Sequence, residues 1–406
     1  MLTLDDFDFN GKTVFVRPDL NCPFDEKTGK IEKSERVAAH AKTIAELAGK
    51  NAKVAVFAHQ GRKGDPDFLH LAQHARLLSE EMGNTPVLFV DDVCGEKAKS
   101  AIKSLQNGQI LLLDNVRFLD DETTYEKTGQ AQIISSLSGM YDYFVLDAFS
   151  VAHRAHASVV GFTEKPVIAG RVLQSELEAL SKFKKPKKPF IAIFGGAKAD
   201  DSILIMESWL ASNKVSKILV GGVAGSLFIL ASGVELGASL EFMKEKKAID
   251  FLPKAKELIQ KYQKKIVFPK DVIVDKKGEA RRKTTGSLPS RYPIVDIGPK
   301  TAAKYSKLIS KAKTILINGP LGVYEQEQFA SGTRAILSAI TSSYAFSLAG
   351  GGHTLSAIDK FSSRSKFGYV SLSGKALIEY LAGQKLPGVE LVESQKKPRR
   401  GALLIK

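Results

Sequence analysis

Short runs of β-branched and aromatic residues alternate along the chain with longer stretches whose apolar residues recur at helical spacing. The clearest helical stretch follows Ser34, a favourable N-cap residue, and places Val37, Ala41, Ile44 and Ala48 on one face. This alternation predicts an α/β fold whose parallel sheets are covered by helices on both faces. The predicted strands are 13–16, 54–58, 87–90, 110–113, 143–146, 190–194, 218–221, 266–268, 294–297, 314–317, 345–348 and 369–372.

The length of 406 residues is large for one hydrophobic core, so two domains are expected. Residues 171–180 have a helical pattern, and a basic, proline-containing connector follows at 181–189. We therefore predict two Rossmann-like domains joined by a connecting helix and hinge. The N-terminal domain covers 1–168, the connecting helix and linker cover 169–185, and the second domain covers 186–385.

Isolated arginines and histidines follow the predicted strands of the first half. They lie in Arg17-Pro18-Asp19-Leu20-Asn21, in His59-Gln60-Gly61-Arg62, and at Arg117 and Arg154. Arginine holds phosphate and carboxylate groups through paired hydrogen bonds, and ligands of parallel sheets bind at the carboxyl ends of the strands. Each motif alone is also explained by an ordinary turn. Four arginine-bearing strand ends in one sheet favour a shared anion site.

Arg36 stands in the first turn of the helix that follows Ser34. The helix dipole disfavours a cation at this position. The mismatch indicates an anionic partner for Arg36, although a solvated arginine would cost little.

Glycine-rich loops follow the predicted strands of the second half. They are Gly195-Gly196-Ala197-Lys198, Gly221-Gly222, Gly319-Pro320 and Gly350-Gly351-Gly352. Glycine turns that open helices offer backbone N–H groups to phosphates. Lys198 with Asp200 and Asp201 suits a phosphoryl group that is transferred together with a divalent ion. Neither a GxxxxGK[ST] loop nor a dinucleotide GxGxxG motif is present.

His70 and His74 have the i, i+4 spacing of a helical metal-binding pair. The pattern supplies no third ligand near them. A solvated helix face is therefore the favoured interpretation.

Composition is that of a globular protein, with 44% hydrophobic and 25% charged residues. The net charge of +15 fits a lysine-rich surface, anionic substrates or nucleic acid. Cys22 and Cys94 are the only cysteines, which argues against a disulfide framework and fits a reducing cytoplasm. The acidic start lacks a signal-peptide pattern. The uncharged run 218–234 is interrupted by glycines and fits a strand, turn and helix better than a membrane span.

Together these residues resemble phosphoglycerate kinases, and archaeal-type members in particular. The resemblance extends over nearly the whole chain and keeps the motifs in order. The matching segments are 17–21, 59–62, 115–118, 152–156, 195–198, 296–301, 318–320 and 386–389.

This resemblance implies reversible, magnesium-dependent phosphoryl transfer between 1,3-bisphosphoglycerate with ADP and 3-phosphoglycerate with ATP, with closure of the two domains. The implied glycerate-binding residues are Asp19, Leu20, Asn21, Arg36, His59, Gln60, Gly61, Arg62, Arg117 and Arg154. The implied nucleotide-binding residues are Gly195, Gly196, Lys198, Asp201, Gly221, Asn318, Glu325, Gly350, Gly351, Gly352, His353 and Thr354. Arg36 and Lys198 would flank the transferred group as the catalytic residues. Magnesium would be held through the nucleotide phosphates, with Asp201 as a candidate ligand.

The resemblance also assigns residues 386–406 to the N-terminal domain. It implies a cytoplasmic monomer or weak dimer that binds neither membrane nor nucleic acid.

Three positions depart from the common family pattern. Ser202 stands where a second lysine is usual, and His353 stands where an aspartate associated with the nucleotide's magnesium is usual. Lys375 lies in Ser371-Leu372-Ser373-Gly374-Lys375, which replaces a glycine-rich segment. We hypothesise that Lys375 supplies part of the charge missing at Ser202. Magnesium prefers oxygen ligands, so His353 is a poor direct ligand.

Three alternatives remain open at this point. The net charge suggests a nucleic-acid-binding protein, but no basic motif interleaved with aromatic residues is found. The architecture also suits a nicotinamide-dependent oxidoreductase, against which the missing GxGxxG argues. A catalytically weakened family member is the third, and Arg36 and Lys198 argue against it.

Overall fold

The structure is a computed structural model that describes residues 1–197 and 199–395, without the side chains of Asp200 and Asp201. The described chain forms two compact units. The first contains Met1–Glu178 and the segment that begins at Lys385, and the second contains Ala179–Gln384. The boundary between them falls within the helix Arg171–Ser181, which the sequence-based division placed in a separate connecting segment.

The first unit is built on a six-stranded sheet with the strand order β5-β6-β4-β1-β7-β8, in which every neighbouring pair is parallel. Its strands, with the small antiparallel hairpin β2–β3, are β1 (Thr13–Arg17), β2 (Phe24–Asp25), β3 (Lys30–Ile31), β4 (Lys53–Val56), β5 (Val87–Phe89), β6 (Ile110–Leu112), β7 (Tyr143–Leu146) and β8 (Val167–Ala169). The sequence had not predicted β8 or the hairpin. The parallel sheet itself was predicted and is confirmed.

Helices cover this sheet and close a core between strand and helix side chains. They are α1 (Glu35–Gly49), α2 (Ala72–Glu81), α3 (Glu96–Ser104), α4 (Tyr125–Thr128), α5 (Gln132–Leu137), α6 (Ala157–Val160) and α7 (Arg171–Ser181), with 3-10 turns at Leu4–Asp6, Val116–Phe118 and Phe149–Val151. Val14 and Val56 of the sheet pack in one cluster with Val37 and Ile44 of α1. Ser34 precedes α1 as predicted, but its side chain makes no capping hydrogen bond.

The second unit repeats this plan with a six-stranded parallel sheet in the order β11-β10-β9-β15-β16-β17. Its strands are β9 (Phe190–Phe194), β10 (Lys217–Val220), β11 (Ile266–Val267), β12 (Asp271–Lys276), β13 (Glu279–Thr284), β14 (Ile294–Ile297), β15 (Thr314–Asn318), β16 (Phe346–Gly350) and β17 (Tyr369–Val370). In the central register Asn318 lies between Phe194 and Gly350. The loops that follow these three strands therefore start side by side.

Strands β12, β13 and β14 form a separate antiparallel sheet with β12 in the centre. The sequence predicted a strand at 294–297 within a parallel arrangement. That placement is wrong, because β14 pairs antiparallel to β12. Strand β13 was not predicted at all, since its charged residues Arg281, Arg282 and Lys283 resemble a polar loop.

The helices of the second unit are α8 (Asp200–Ala211), α9 (Gly222–Ala231), α10 (Ser239–Glu245), α11 (Leu252–Tyr262), α12 (Pro299–Ile309), α13 (Ser331–Thr341), α14 (Gly352–Phe361) and α15 (Lys375–Ala382), with 3-10 turns at Ala248–Phe251, Thr285–Ser287, Glu327–Phe329 and Arg364–Lys366. The last described helix, α16 (Pro387–Ser394), belongs to the first unit, where Gly388 N–H donates to the Ala152 carbonyl. None of the described helices is long and apolar enough to cross a membrane.

Candidate active site

The arginine-bearing motifs of the first unit follow neighbouring strands of its sheet. Arg17 is the last residue of β1, and β1 lies between β4, which precedes His59, and β7, which precedes Arg154. Arg117 lies in the 3-10 turn after β6, next to β4. Because all these strands are parallel, their carboxyl ends meet at one edge of the sheet.

Asp19 follows β1 and is one of the buried acidic residues of this edge, with 2% of its surface exposed. One carboxylate oxygen, Oδ2, accepts a hydrogen bond from Ser150 Oγ at 2.5 Å and lies 3.1 Å from Arg36 Nη1. Burial alone would raise the pKa of Asp19, but the Arg36 guanidinium and the Ser150 hydroxyl hold it well below its usual value. Arg36, which was expected to have an anionic partner, therefore pairs with Asp19.

The loops after β1 and β4 are held together by side chains that were predicted to bind substrate. Asn21 Oδ1 accepts from Gly61 N–H at 3.0 Å. Gln60 is fully buried and exchanges hydrogen bonds with the backbone N–H and C=O of Cys22 at 2.8 and 3.0 Å. Leu20 is also fully buried. The side chains of Gln60 and Leu20 thus shape the loops from inside.

Four arginines of this edge act on one another electrostatically. Burial, followed by Arg154, Arg17 and Arg62, lowers the pKa of Arg117 to about 10. Arg117 Nη1 also donates to the Gly61 carbonyl oxygen, while Arg154 Nε donates to His153 Nε2 at 3.2 Å. After burial, the neighbouring guanidinium groups are the next causes that lower the pKa of Arg117, so several cations lie close together here. An anionic ligand would relieve this repulsion. We name Arg17, Arg62, Arg117, Arg154, Arg36, Asp19 and His59 the arginine cluster.

The histidine pair at 70 and 74 does not lie on a solvated helix face. His74 is fully buried in α2, its Nε2 lies 3.1 Å from Gln60 Oε1, and burial lowers its pKa to about 4. His70 precedes α2, and its exposed imidazole contacts Asp114. Among the described residues, no three or more His, Cys, Asp or Glu side chains are grouped to hold a metal ion.

In the second unit the glycine loops are bonded to each other. Gly195 N–H donates to Asn318 O at 2.9 Å and Gly196 N–H donates to Pro320 O at 2.7 Å. A Cβ on Gly195 would lie 2.1 Å from Pro320 O, so only glycine fits. These N–H groups bond within the protein, and the glycines are required because two loops approach closely.

The triple-glycine turn is joined to the same loops through Thr354. The Thr354 hydroxyl is buried and accepts from Gly319 N–H at 2.7 Å. Gly351 has φ of +91°, and a Cβ there would lie 3.5 Å from Asn318 Nδ2. A Cβ on Gly221 would lie only 2.8 Å from Leu321 Cβ, which is too close. Asn318, Thr354 and the glycines therefore form one interlocked group at the strand ends.

A cavity of about 220 Å³ opens beside this group. Of the predicted nucleotide-binding residues, Gly196, Glu325 and His353 line it directly. The exposed His353 imidazole lies with Nδ1 3.7 Å from Glu325 Oε1 and 3.5 Å from the Tyr324 hydroxyl. The Glu325 and His353 side chains supply a polar part of the cavity lining.

The opposite wall of the cavity is apolar and was missed from the sequence. It is formed by Ile229, Phe242, Met243, Pro269, Val272, Pro293 and Ile294. These residues come from α9, α10 and the antiparallel sheet, which have no motif in common. Asp296 also lines the cavity, and burial raises its pKa to about 7. A partly open cavity with a mostly apolar lining and a few polar side chains suits a flat aromatic ring that carries polar substituents.

Two predicted residues lie outside what the structure describes: Lys198 entirely, and Asp201 in its side chain. Ser202 is described and is buried in α8 with 2% exposure. Lys375, which was proposed to replace the charge missing at Ser202, begins α15. Its Nζ lies 3.5 Å from Glu379 Oε1. That ion pair offsets part of the charge that the hypothesis assigned to Lys375.

Comparisons with known proteins agree over the whole chain. The family model described as phosphoglycerate kinase matches residues 4–384. The phosphoglycerate kinase of Thermoplasma volcanium is 40% identical over 402 residues, which cover 97% of this chain and 98% of that protein. The phosphoglycerate kinase of Methanothermus fervidus is 39% identical over 401 residues, or 97% of both chains.

Solved structures lead to the same family. The crystal structure of phosphoglycerate kinase from Pyrococcus horikoshii OT3 superposes with a TM-score of 0.89 at 37% identity, covering 97% of this chain and 98% of that one. The phosphoglycerate kinase structure from Coxiella burnetii gives a TM-score of 0.82 at 34% identity and the same coverage. Since model, sequences and structures all agree at nearly full length, the chain belongs to the phosphoglycerate kinase family.

Proposed function

We propose that this protein transfers a phosphoryl group reversibly between 1,3-bisphosphoglycerate and ADP, which yields 3-phosphoglycerate and ATP. The observation that carries this proposal is the arginine cluster, in which four guanidinium groups crowd around one edge of a sheet. A small ligand with both a phosphate and a carboxylate supplies the missing negative charge. Membership of the family makes that ligand the glycerate substrate.

The first unit is proposed to bind the glycerate. Arg62, Arg117 and Arg154 would hold its anionic groups through their guanidinium donors. Asp19 and Asn21 would bind its hydroxyl, and Arg36, anchored by Asp19, would face the transferred phosphoryl group. Gln60, Gly61 and Leu20 would contribute by fixing the loop that presents His59.

The second unit is proposed to bind ATP or ADP as its magnesium complex. The apolar wall would hold the base, Glu325 would accept hydrogen bonds from the ribose, and the interlocked glycine group would border the phosphates. Lys198 would neutralise charge on the transferred group, and Asp201 remains the candidate oxygen ligand for the magnesium that the nucleotide brings.

The chemistry needs positioning more than proton transfer. The glycerate carboxylate is already ionised and attacks the γ-phosphorus of ATP. The new O–P bond forms as the bond to the β,γ-bridging oxygen breaks, and ADP leaves with that electron pair. Arg36 and Lys198 would offset the charge on the moving group, and domain closure would exclude water that otherwise hydrolyses ATP or the acyl phosphate.

The first experiment measures acyl-phosphate formation from 3-phosphoglycerate and magnesium ATP, trapped with hydroxylamine, for the natural protein and Lys198→Ala. We expect activity in the former and a roughly 100-fold or greater loss in the latter. Lys311→Ala is the matched control, because Lys311 is an exposed lysine of the same unit.

Retained activity in Lys198→Ala would keep the reaction and refute the role of Lys198. A protein that binds both substrates but forms no acyl phosphate would instead be a catalytically weakened family member. The positions to restore first would then be Ser202, His353 and Lys375.

We further propose a cytoplasmic enzyme that is a monomer or weak dimer. Sedimentation velocity over a range of protein concentrations tests the oligomeric state. A stable higher oligomer at low concentration would contradict it.

A further inference from the structure

Arg17 is the member of the arginine cluster that is least available to substrate. It ends β1 and has only 1% of its surface exposed. Its Nε donates to Ser158 Oγ at 2.8 Å, its Nη1 donates to the Pro18 carbonyl at 2.5 Å, and its Nη2 lies 3.2 Å from His59 Nδ1. The guanidinium is thus held from three sides by the protein itself.

A buried carboxylate balances Arg17 through a serine. Glu122 is fully buried and accepts from the Ser158 hydroxyl at 2.6 Å and from Ser158 N–H at 2.9 Å. A hydroxyl has one proton, so the Ser158 oxygen donates to Glu122 and accepts from Arg17. Arg17 therefore donates to the Ser158 hydroxyl, and the Ser158 hydroxyl donates to Glu122.

The same argument fixes the proton on His59. A guanidinium group has only donors, so His59 Nδ1 must accept from Arg17 and cannot carry a proton itself. Burial and the adjacent Arg17 hold the pKa of His59 well below its usual value, and Arg117 and Arg154 act in the same direction. Asp19 is the one nearby group that opposes them. The single ring proton then lies on Nε2.

We propose that Arg17 is a positioning residue that holds His59 as a neutral imidazole with its proton on Nε2. His59 then presents a hydrogen-bond donor of fixed direction to the glycerate, without adding another cation to a site that already has five arginines. The benefit to catalysis rests on the proposed function of the cluster. The tautomer itself does not, because it follows from contacts inside the first unit.

Two-bond proton–nitrogen correlation NMR on protein labelled with nitrogen-15 at histidine tests the tautomer directly. The His59→Gln spectrum identifies the His59 signals by their loss. We expect His59 to show the neutral Nε2–H pattern from about pH 5.5 to about pH 8, without titration. An Nδ1–H tautomer or an imidazolium within that range would overturn the proposal, whether or not the protein is active.

A charge-balanced double variant tests whether Arg17 sets the tautomer. Arg17→Met alone leaves the Glu122 carboxylate buried and unpaired, so Arg17→Met is combined with Glu122→Gln to preserve folding. We expect both neutral tautomers of His59 to appear in this variant, because Nδ1 loses the donor that keeps the proton off it, while burial, Arg117 and Arg154 still hold the pKa of His59 below its usual value. We also expect the KM for 3-phosphoglycerate to rise roughly tenfold, while the KM for ATP stays unchanged.

Unchanged His59 signals in the folded double variant would show that Arg17 does not set the tautomer. Glu122→Gln alone is the control, because it removes the buried charge but keeps an acceptor for Ser158. It should retain the Nε2–H pattern. If the natural protein has this pattern but forms no acyl phosphate, the proposed function fails and the positioning role stands.

Discussion

The two candidate binding regions differ in the kinds of groups that form them. The arginine cluster of the first unit consists of charged side chains, several of them buried, that are fixed by hydrogen bonds to other side chains. The cavity of the second unit consists of interlocked loop backbone on one side and apolar side chains on the other. The first region presents charged side chains, and the second presents a mostly apolar cavity.

This difference decides what each region tolerates. Removing an exposed side chain such as Arg62 from the arginine cluster changes the charge balance and leaves the sheet in place. Adding one atom to a glycine loop of the second unit forces two backbones apart. We therefore expect the first unit to respond mainly to changes in side-chain charge. We expect the second unit to respond mainly to changes in side-chain volume.

The largest expected effect comes from Arg36→Ala. The variant loses the cation that is proposed to face the moving phosphoryl group, so kcat should fall roughly 100- to 1000-fold, about 3 to 4 kcal/mol. Steady-state kinetics measures kcat, and nucleotide titration measures the affinity for ATP, which should not change. Arg76→Ala, at an exposed position of α2, is the matched control. Weaker ATP binding with unaltered kcat would contradict the assignment.

Gly195→Ala should damage the second unit and spare the first. The new Cβ would meet Pro320 O at 2.1 Å, and such overpacking typically costs about 1 to 3 kcal/mol. Urea unfolding followed by Trp209 emission reports on the second unit, since Trp209 is the only tryptophan and is buried. Calorimetric titration should show weaker ATP binding and unchanged 3-phosphoglycerate binding.

Gly286→Ala provides the volume control, because nothing lies within 4 Å of a Cβ at that position. Equal losses in both glycine variants would mean that the close approach of the loops is unimportant.

Acidification should act on the two units with opposite sign. His74 has a folded pKa of about 4, so the unfolded state binds its proton first as pH falls below about 6.5, and the first unit loses stability. Asp296 has a folded pKa of about 7, so the folded state binds its proton first, and the second unit gains stability between about pH 7 and pH 4. Between pH 7 and pH 5 each effect is about 2 kcal/mol.

Hydrogen exchange of peptides from β1 and β4 follows the first unit, and Trp209 emission follows the second. Asp296→Asn should remove the contribution of Asp296 to the pH response of the second unit only, and His74→Gln should weaken the pH response of the first unit, to which His59 and His156 also contribute. A change of stability with the same sign in both units on acidification would refute the predicted opposite effects.

The smallest expected effect is that of Glu325→Gln. Loss of one charged acceptor for a ribose hydroxyl should raise the KM for ATP about fivefold, or about 1 kcal/mol. With 3′-deoxy-ATP the variant and the natural protein should differ much less. Glu235→Gln, at an exposed glutamate of the same unit, controls for charge. An equal loss with both nucleotides would show that Glu325 does not contact the 3′-hydroxyl.

The sequence was sufficient to predict features that depend on neighbouring residues in the chain, such as the strands and their ends. Every predicted strand overlaps an observed one, since β-branched runs such as 190–194 are buried in the centre of a parallel sheet. The arginine-bearing strand ends were also found, because parallel strands bring their carboxyl ends to one edge regardless of sequence distance. The membership of Asp19 and Arg117 in one cluster follows from that geometry.

The sequence could not show features that depend on tertiary partners. The apolar wall joins Ile229, Phe242 and Val272 from three elements, and each looks like an ordinary core residue in its own segment. His74 was assigned to a solvated face because its partner Gln60 is brought to it by folding. Ser34 has the residue type of a cap, yet its hydroxyl lies 3.5 Å from Cys22 Sγ instead.

The outer strand β13 has a consequence for solubility. It pairs with β12 on one side, so the backbone groups of its other edge are a template for strand addition by another molecule. Arg281, Arg282 and Lys283 place positive charge along this edge, which repels an identical edge of a second molecule. Part of the net charge that first suggested a nucleic-acid partner is thus better explained as protection against aggregation. Replacing Arg281 and Lys283 with threonine, and keeping Arg282 because it pairs with the buried Asp271 at 2.8 Å, should produce a protein that remains folded and precipitates at lower concentration.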